Sequence, residues 1–402
     1  MTFYRSTILK LMRPMQKGYL HITLPDGTVM ELGNKENELH ADVTVHHEHF
    51  FKRAFLYGDI GFAEAYMAGE WSSNDLTRLL SWFLLNIENS PTLSGSRTRA
   101  ILLNAFQFIN KLFHTRRKNT VSGSKKNIAE HYDLSNEFFG LFLDGTMTYS
   151  SAYFTKPDLE LEHAQYEKYE SLCHSLKLKA SDHLLEIGTG WGGFAIYAAK
   201  KYNCFITSVT ISRQQYDFAV ERIRKENLQD KIEVQLKDYR KIEGVFDKVV
   251  SIEMIEAVGA QYLTTYFQKI HSVLKPDGVL ALQAIICPDS RFESLQNNVD
   301  FIQKHIFPGS LLPSIAAINK AINETGDMFM FSLKDLGKSY VRTLAEWRLR
   351  FNQNIDHVRK LGFDDTFIRK WNYYFSYCEA AFDMRNINVV QMVYTRPNNH
   401  RF

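Results

Sequence analysis

Ten residues, Leu184-Leu185-Glu186-Ile187-Gly188-Thr189-Gly190-Trp191-Gly192-Gly193, constrain the fold of this chain more than any other stretch. An apolar strand ends in a carboxylate, turns on glycines, and enters a helical pattern of Ala195, Ile196, Ala198 and Ala199. Such a turn lets backbone approach a ligand at the carboxyl end of a strand, where open α/β sheets bind their cofactors. Gly188, Gly190 and Gly193 also satisfy G-x-G-x-x-G, so a dinucleotide site must be weighed first. Two features oppose it. Glu186 would set a negative charge beside a pyrophosphate, and the next strand, Cys204 to Val209, ends in Thr210 and Ser212 with no acid for a ribose hydroxyl. A cationic sulfonium suits this turn better, which points to S-adenosylmethionine.

Around the turn, strands and helices alternate. The pattern predicts strands over 183–187, 204–210, 232–236, 246–252 and 279–286, with helices over 193–202, 212–227 and 261–274. Lys275-Pro276-Asp277-Gly278 reads as the turn into the last of these strands. The rhythm predicts an α/β domain over 128–402, with a doubly wound, mostly parallel sheet. Residues 290–385 read as a mainly helical insertion covering the substrate, and Asn388 to Thr395 as a closing edge strand.

Ahead of this domain, residues 19–32 read as a β-hairpin turning at Pro25-Asp26-Gly27. A helical stretch follows from about 47 to 113, with Asp75 as an N-cap. Residues 1–113 thus form a small α+β domain in which no chemistry stands out. Residues 114–127, with Arg116, Arg117, Lys118, Lys125 and Lys126, form a basic linker. It reads either as a solvated hinge or as a patch for anionic phospholipid headgroups, worth about 1 kcal/mol per basic residue near the surface.

Composition excludes several classes. A net charge of +3 is too mild to argue for nucleic acid. The four cysteines are far apart and form no C-x-x-C pair, so neither a zinc site nor a disulfide framework is indicated, and a reducing compartment fits. Met1 to Lys17 lacks the continuous apolar run of a signal peptide. The longest apolar stretch, near Leu79 to Leu85, is far short of the ~20 residues that span a bilayer. Any contact with lipid is therefore expected from the water side.

The chemistry-bearing residues cluster near predicted strand tips. Ser251-Ile252-Glu253-Met254-Ile255-Glu256 ends a strand in two carboxylates, and Glu256 reads either as a satisfied structural acid or as a charged group beside the reacting centre. Asp133 to Leu143 suggests a Ser135-capped helix with Phe138, Phe139 and Phe142 on one face. Thr146 to Phe154 follows as a polar and aromatic loop.

Several of these segments resemble the cyclopropane-fatty-acyl-phospholipid synthase family. They are His131 to Phe139, Tyr149 to Phe154, Glu186 to Gly193, Val209 to Gln215, Lys237 to Arg240, Glu256 to Gly259 and Ile306 to Gly309. The match runs in consistent order over about 128–396, and the N-terminal region resembles the short domain ahead of many such synthases. The resemblance implies a class I methyltransferase-like fold that moves the methyl of S-adenosylmethionine onto the double bond of an unsaturated phospholipid acyl chain. Glu186, Gly188 and Gly190 would then hold the methionine end of the cofactor, with Tyr149 and Ser150 closing over it. Thr210 and Gln215 would serve the ribose, and Tyr239, Arg240 and Ile252 the adenine. The implied partner is a membrane surface met peripherally from the cytoplasm, and a homodimer is left open.

The same resemblance implies a bicarbonate base cradled at the positions of Glu256, Ser151, Gln283, Tyr340 and Ile285. Glu256 and Tyr340 would orient it, and Ser151 and Gln283 would tune where it abstracts. Ser151 stands where the family usually has Cys, and Gln283 where it usually has His; both still hydrogen-bond an anion. Leu282-Gln283-Ala284-Ile285 is closer to the branch that includes tuberculostearic-acid-type methyltransferases, whose products carry a methylene or methyl branch. Cys378 matches a cysteine proposed as catalytic in the family, although a Cys in an apolar helix is also a small buried hydrophobe. Two other functions fit parts of the pattern: a small-molecule N-methyltransferase of the coclaurine type, and a non-catalytic lipid-binding relative.

Overall fold

The structure is a computed structural model, and it describes residues 3–86, 134–400 and 402. The basic linker, the end of the first helical stretch and His131 to Asp133 lie outside the described residues. Two compact units divide the rest. One comprises 3–86, 297–306 and 347–386; the other comprises 134–296, 307–346 and 387–402. Segments of the helical insertion are therefore shared between the units.

In the first unit, β1 (Tyr19–Thr23) and β2 (Val29–Gly33) form the expected antiparallel hairpin, closed by Gly27 at φ 82°. Two strands absent from the sequence reading complete its sheet. They are β3 (His40–Val45), parallel to β1, and β4 (Trp71–Ser72), which gives the order β2-β1-β3-β4. Asp75 caps the helix Leu76–Leu85, accepting from the Arg78 amide at 3.0 Å.

The second unit holds a seven-stranded sheet. Its parallel strands are β5 (His183–Ile187), β6 (Phe205–Thr210), β7 (Ile232–Leu236), β8 (Phe246–Ile252) and β9 (Leu274–Ile286). The central strands β5, β8 and β9 carry apolar residues covered on both faces, as parallel sheets require, whereas β7 at the edge, Ile-Glu-Val-Gln-Leu, buries only Ile232. Alternate residues serve opposite layers: Leu185 and Leu280 pack with the helix Leu263–Val273, while Leu184 and Ala281 pack with helices Leu161–Leu176 and Gly193–Tyr202. The predicted turn at 275–278 is absorbed into β9, where the register with β8 shifts between Phe246 and Lys248.

One expectation is corrected. Strand β11 (Asn388–Thr395) does not close the edge; it lies antiparallel between β9 and β10 (Phe329–Asp335), and β10 is the edge. The reason is visible in β10 itself. Phe329, Phe331 and Leu333 do recur at the spacing of a strand, but their face is exposed, and the short run lies between the helices Ile315–Asn323 and Gly337–Gln353, so the region reads as helical cover.

Candidate active site at the strand tips

Because β5 to β9 are parallel, their carboxyl ends share one edge of the sheet. The glycine turn leaves β5 there, anchored by Gly188 and Thr189 amides donating to the Val209 carbonyl at 3.0 and 3.1 Å. Gly190 has φ 52°, and a Cβ at this position would meet no heavy atom within 4 Å, so its backbone is open to a ligand. Gly193 is needed for the opposite reason. A Cβ there would stand 2.5 Å from the Tyr169 hydroxyl and 3.0 Å from the Thr146 carbonyl.

Glu186 is buried at the end of β5 and accepts from Ser208 Oγ at 2.5 Å. Burial pushes its carboxyl up to about 8, against the pull of the Ser208 hydrogen bond. Among the described residues it has no basic partner. A buried acid without a counter-ion, beside an open glycine turn, fits a small cationic ligand such as a sulfonium amino acid.

Aromatic rings gather beside the turn. Tyr149 lies 5.4 Å from Phe139, 6.0 Å from Phe142 and 6.1 Å from Phe307, and Phe139 lies 5.1 Å from Trp191. The helix Asn136–Gly140, capped by Ser135 as expected, ties this group to the turn: Trp191 Nε1 donates to Asn136 Oδ1 at 2.7 Å. Next to Tyr149, Ser150 receives Lys168 Nζ on its hydroxyl at 2.8 Å and Gln165 Nε2 on its carbonyl at 3.1 Å. Lys168 is fully buried, and burial pushes its ammonium down to about 7. Sequence reasoning missed Lys168. Its signal was two polar residues, Gln165 and Lys168, on the helix face otherwise made by Leu161, Ala164 and Leu172.

The expected ribose and adenine residues stand at neighbouring tips. Thr210 ends β6 and donates to Gln215 Oε1 at 3.0 Å. Past β7, Arg240 grips Asp238 through two bonds of 2.9 and 2.7 Å, and its guanidinium lies 5.3 Å from the Tyr239 ring and 5.7 Å from the Tyr262 ring. Ile252 ends β8, opposite Gln283 of β9.

The base residues are brought together, but around Glu253. Glu253 Oε1 accepts from the Ser151 amide at 2.9 Å and from Gln283 Nε2 at 2.7 Å; Oε2 accepts from the Tyr340 hydroxyl at 2.9 Å. The residue sits at φ 48°, a backbone region that side chains other than glycine rarely adopt. Glu256 faces elsewhere. Its Oε1 accepts from the Ile285 amide at 2.5 Å, and its buried Oε2 has no hydrogen-bond partner among the described residues. Burial and then the Glu253 charge push Glu256 up to about 8. Sequence reasoning noted Glu253 as one of a pair and assigned chemistry only to its neighbour.

Cys378 lies in the other unit, on the helix Asp365–Asp383. Burial, then the Asp300 carboxylate, pushes its thiol well up, so it remains protonated.

A model of the mycolic acid cyclopropane synthetase family matches residues 119–392. The chain is 38% identical to the tuberculostearic acid methyltransferase of Mycobacterium tuberculosis over 358 residues, covering 86% of this chain and 81% of that protein. It is 35% identical to the cyclopropane-fatty-acyl-phospholipid synthase of Escherichia coli over 360 residues, covering 89% and 88%. Among solved structures it is similar to a mycolic acid cyclopropane synthase complexed with SAH and CTAB, with TM-score 0.63 and 28% identity over 68% of this chain and 98% of that one.

Proposed function

The chain belongs to the mycolic acid cyclopropane synthetase family, and from that membership we propose that it moves a one-carbon unit from S-adenosylmethionine to the double bond of an unsaturated phospholipid acyl chain. The product is a cyclopropane or a methylene- or methyl-branched chain. The observation that carries this reading is the buried, uncompensated Glu186 beside the open Gly190 turn, on the same sheet edge as Glu253 and Glu256.

When bound, S-adenosylmethionine supplies an electrophilic methyl on a positively charged sulfur. Glu186, Gly188 and Gly190 hold its charged end, with Tyr149 and Ser150 beside it. Thr210 and Gln215 serve the ribose; Tyr239, Arg240 and Ile252 frame the adenine. An alkene is a weak nucleophile, so the chain must hold it at near-attack distance, which can contribute ~7–11 kcal/mol of the barrier. Attack leaves a cationic carbon that water would capture. The rings of Tyr149, Phe139, Phe142 and Phe307 exclude solvent and offer negative π faces to that cation.

No helix of the described residues is long and apolar enough to cross a membrane. The enzyme meets its lipid peripherally, at the cytoplasmic face, and the basic residues of 114–127 favour anionic headgroups.

The test is mass spectrometry of phospholipid fatty acids from cells expressing the protein, with a hydrogenation step to separate ring from alkene. A gain of one CH2 on unsaturated chains is expected. Label from the methyl of S-adenosylmethionine entering amine acceptors, and not phospholipid, would replace this reading with N-methylation.

A further inference from the structure

We propose that Glu253 is the general base of this reaction, a carboxylate of the chain itself doing the work for which related enzymes would recruit a bicarbonate ion. The inference rests on the one-carbon transfer reading above. Its ground is the fate of the implied anion cradle. The Ser151 amide, Gln283 Nε2 and the Tyr340 hydroxyl donate to Glu253, the Ser151 hydroxyl donates to the Ala152 carbonyl at 2.9 Å, and the Ile285 amide is taken by Glu256. Among the described residues, the N–H and hydroxyl donors contributed by Ser151, Gln283, Tyr340 and Ile285 are thus taken by groups of the chain itself. A bicarbonate would also meet the Glu253 carboxylate, and like charges at about 4 Å repel by roughly 4 kcal/mol even at an effective dielectric of 20. The residues present do not fit that ion.

The geometry around Glu253 is that of a held base. Oε1 accepts two hydrogen bonds, whereas among the described residues Oε2 accepts one, from Tyr340, and keeps a lone pair. With a strained φ of 48°, the Glu253 backbone is fixed at the tip of β8 by its amide, which donates to the Gln283 carbonyl at 2.8 Å. The segment borders the glycine turn, since a Cβ at Gly188 would lie 3.3 Å from the Met254 side chain. Burial raises the basicity of Glu253, and the Gln283 hydrogen bond and the Lys168 charge oppose that rise.

The orientation of Gln283 is built in. Lys334 can only donate, and it donates to Ser171 Oγ at 2.9 Å. Ser171 then donates to Gln391 Oε1 at 2.7 Å, which leaves the Gln391 amide nitrogen to donate to Gln283 Oε1 at 3.0 Å. Gln283 must therefore turn its own amide nitrogen to Glu253. A chain of four side chains thus fixes a donor on the carboxylate.

In the step, the π electron pair of the acyl chain forms the new bond to the transferred carbon and leaves a cationic carbon. A C–H bond next to that centre gives its electron pair to the cation and its proton to Glu253 Oε2. The proton returns to solvent when product leaves.

The experiment compares turnover on unsaturated phospholipid vesicles in buffer stripped of carbon dioxide and in buffer with added bicarbonate, for the wild type, Glu253→Gln and Glu253→Gly. Cofactor binding by calorimetry checks that each variant is folded. The wild type is expected to be indifferent to bicarbonate and to give no bound resonance with 13C-labelled bicarbonate. Glu253→Gln should lose at least about 100-fold in kcat, and Glu253→Gly should recover part of its loss with bicarbonate. Wild-type turnover that falls on removing bicarbonate, or a Glu253→Gln enzyme of wild-type rate, would overturn the assignment and leave the one-carbon reading standing. Absence of any one-carbon product in either buffer would overturn both.

Discussion

Gln391 donates its side-chain amide to Gln283 at 3.0 Å, and this bond decides which way the Gln283 amide faces. The two residues lie on adjacent antiparallel strands in register, so the contact is fixed by the pairing of β11 with β9. Replacing Gln391 by Glu would turn a donor into an acceptor and set a carboxylate against Gln283 Oε1. A hydrogen bond to a charged group is worth about 1.5–3 kcal/mol, so kcat should fall roughly 10- to 100-fold. Cofactor affinity should not change. Steady-state kinetics alongside calorimetry checks both halves of that expectation.

Glu186 makes cofactor binding pH-dependent. Burial holds its carboxyl near 8 in the free protein, so it is largely protonated at neutral pH. A cation beside it favours the ionised form, so binding expels a proton. Affinity for S-adenosylmethionine should therefore rise as pH goes from 6 towards 8 and level off above. Titrations in buffers of different ionisation enthalpy should show proton release, and Glu186→Gln should remove that part of the release.

Lys168 makes stability pH-dependent. Its folded value of about 7 lies below its ordinary 10.5 because of burial. Between those values the unfolded chain binds more protons than the native one, so this group's contribution to stability rises with pH and is lost as pH falls through 7. Replacing Lys168 by Met should flatten the dependence of Tm on pH between 7 and 9. Parallel melting curves of the two proteins isolate the difference.

Two glycines of one turn should respond differently to alanine. At Gly193 the added Cβ meets the Tyr169 hydroxyl and the Thr146 carbonyl, and overpacking of this kind costs about 1–3 kcal/mol in urea unfolding. At Gly190 the Cβ meets nothing but sits at φ 52°, where a side chain costs about 1–2 kcal/mol, and on the proposed function it would project toward the cofactor. Calorimetry should show the larger loss of cofactor affinity at Gly190.

Cys378→Ala should keep most of the wild-type turnover, because the thiol is held protonated in a separate unit. A loss of kcat beyond 100-fold with cofactor binding intact would instead restore a direct role to this cysteine.

The sequence by itself determined the five parallel strands, the glycine turn, the Ser135 and Asp75 caps and the sheet edge at which the strand tips and their carboxylates lie. Each of these is written in neighbouring residues: an apolar run, the glycines that end it, a hydroxyl or carboxylate before a helix. Only the tertiary structure decided which acid is the hub. Ser151, Tyr340 and Gln283 stand 102, 87 and 30 residues from Glu253, and local periodicity carries no record of such meetings. The same holds for β10, whose alternate apolar residues end up exposed on the strand beside β11, and for Lys168, which is buried with its ammonium on the Ser150 hydroxyl. Local signals fix elements because backbone conformation is a local choice. Convergence of side chains at a site is a property of the packed sheet, and it exists only once β8, β9 and β11 have paired.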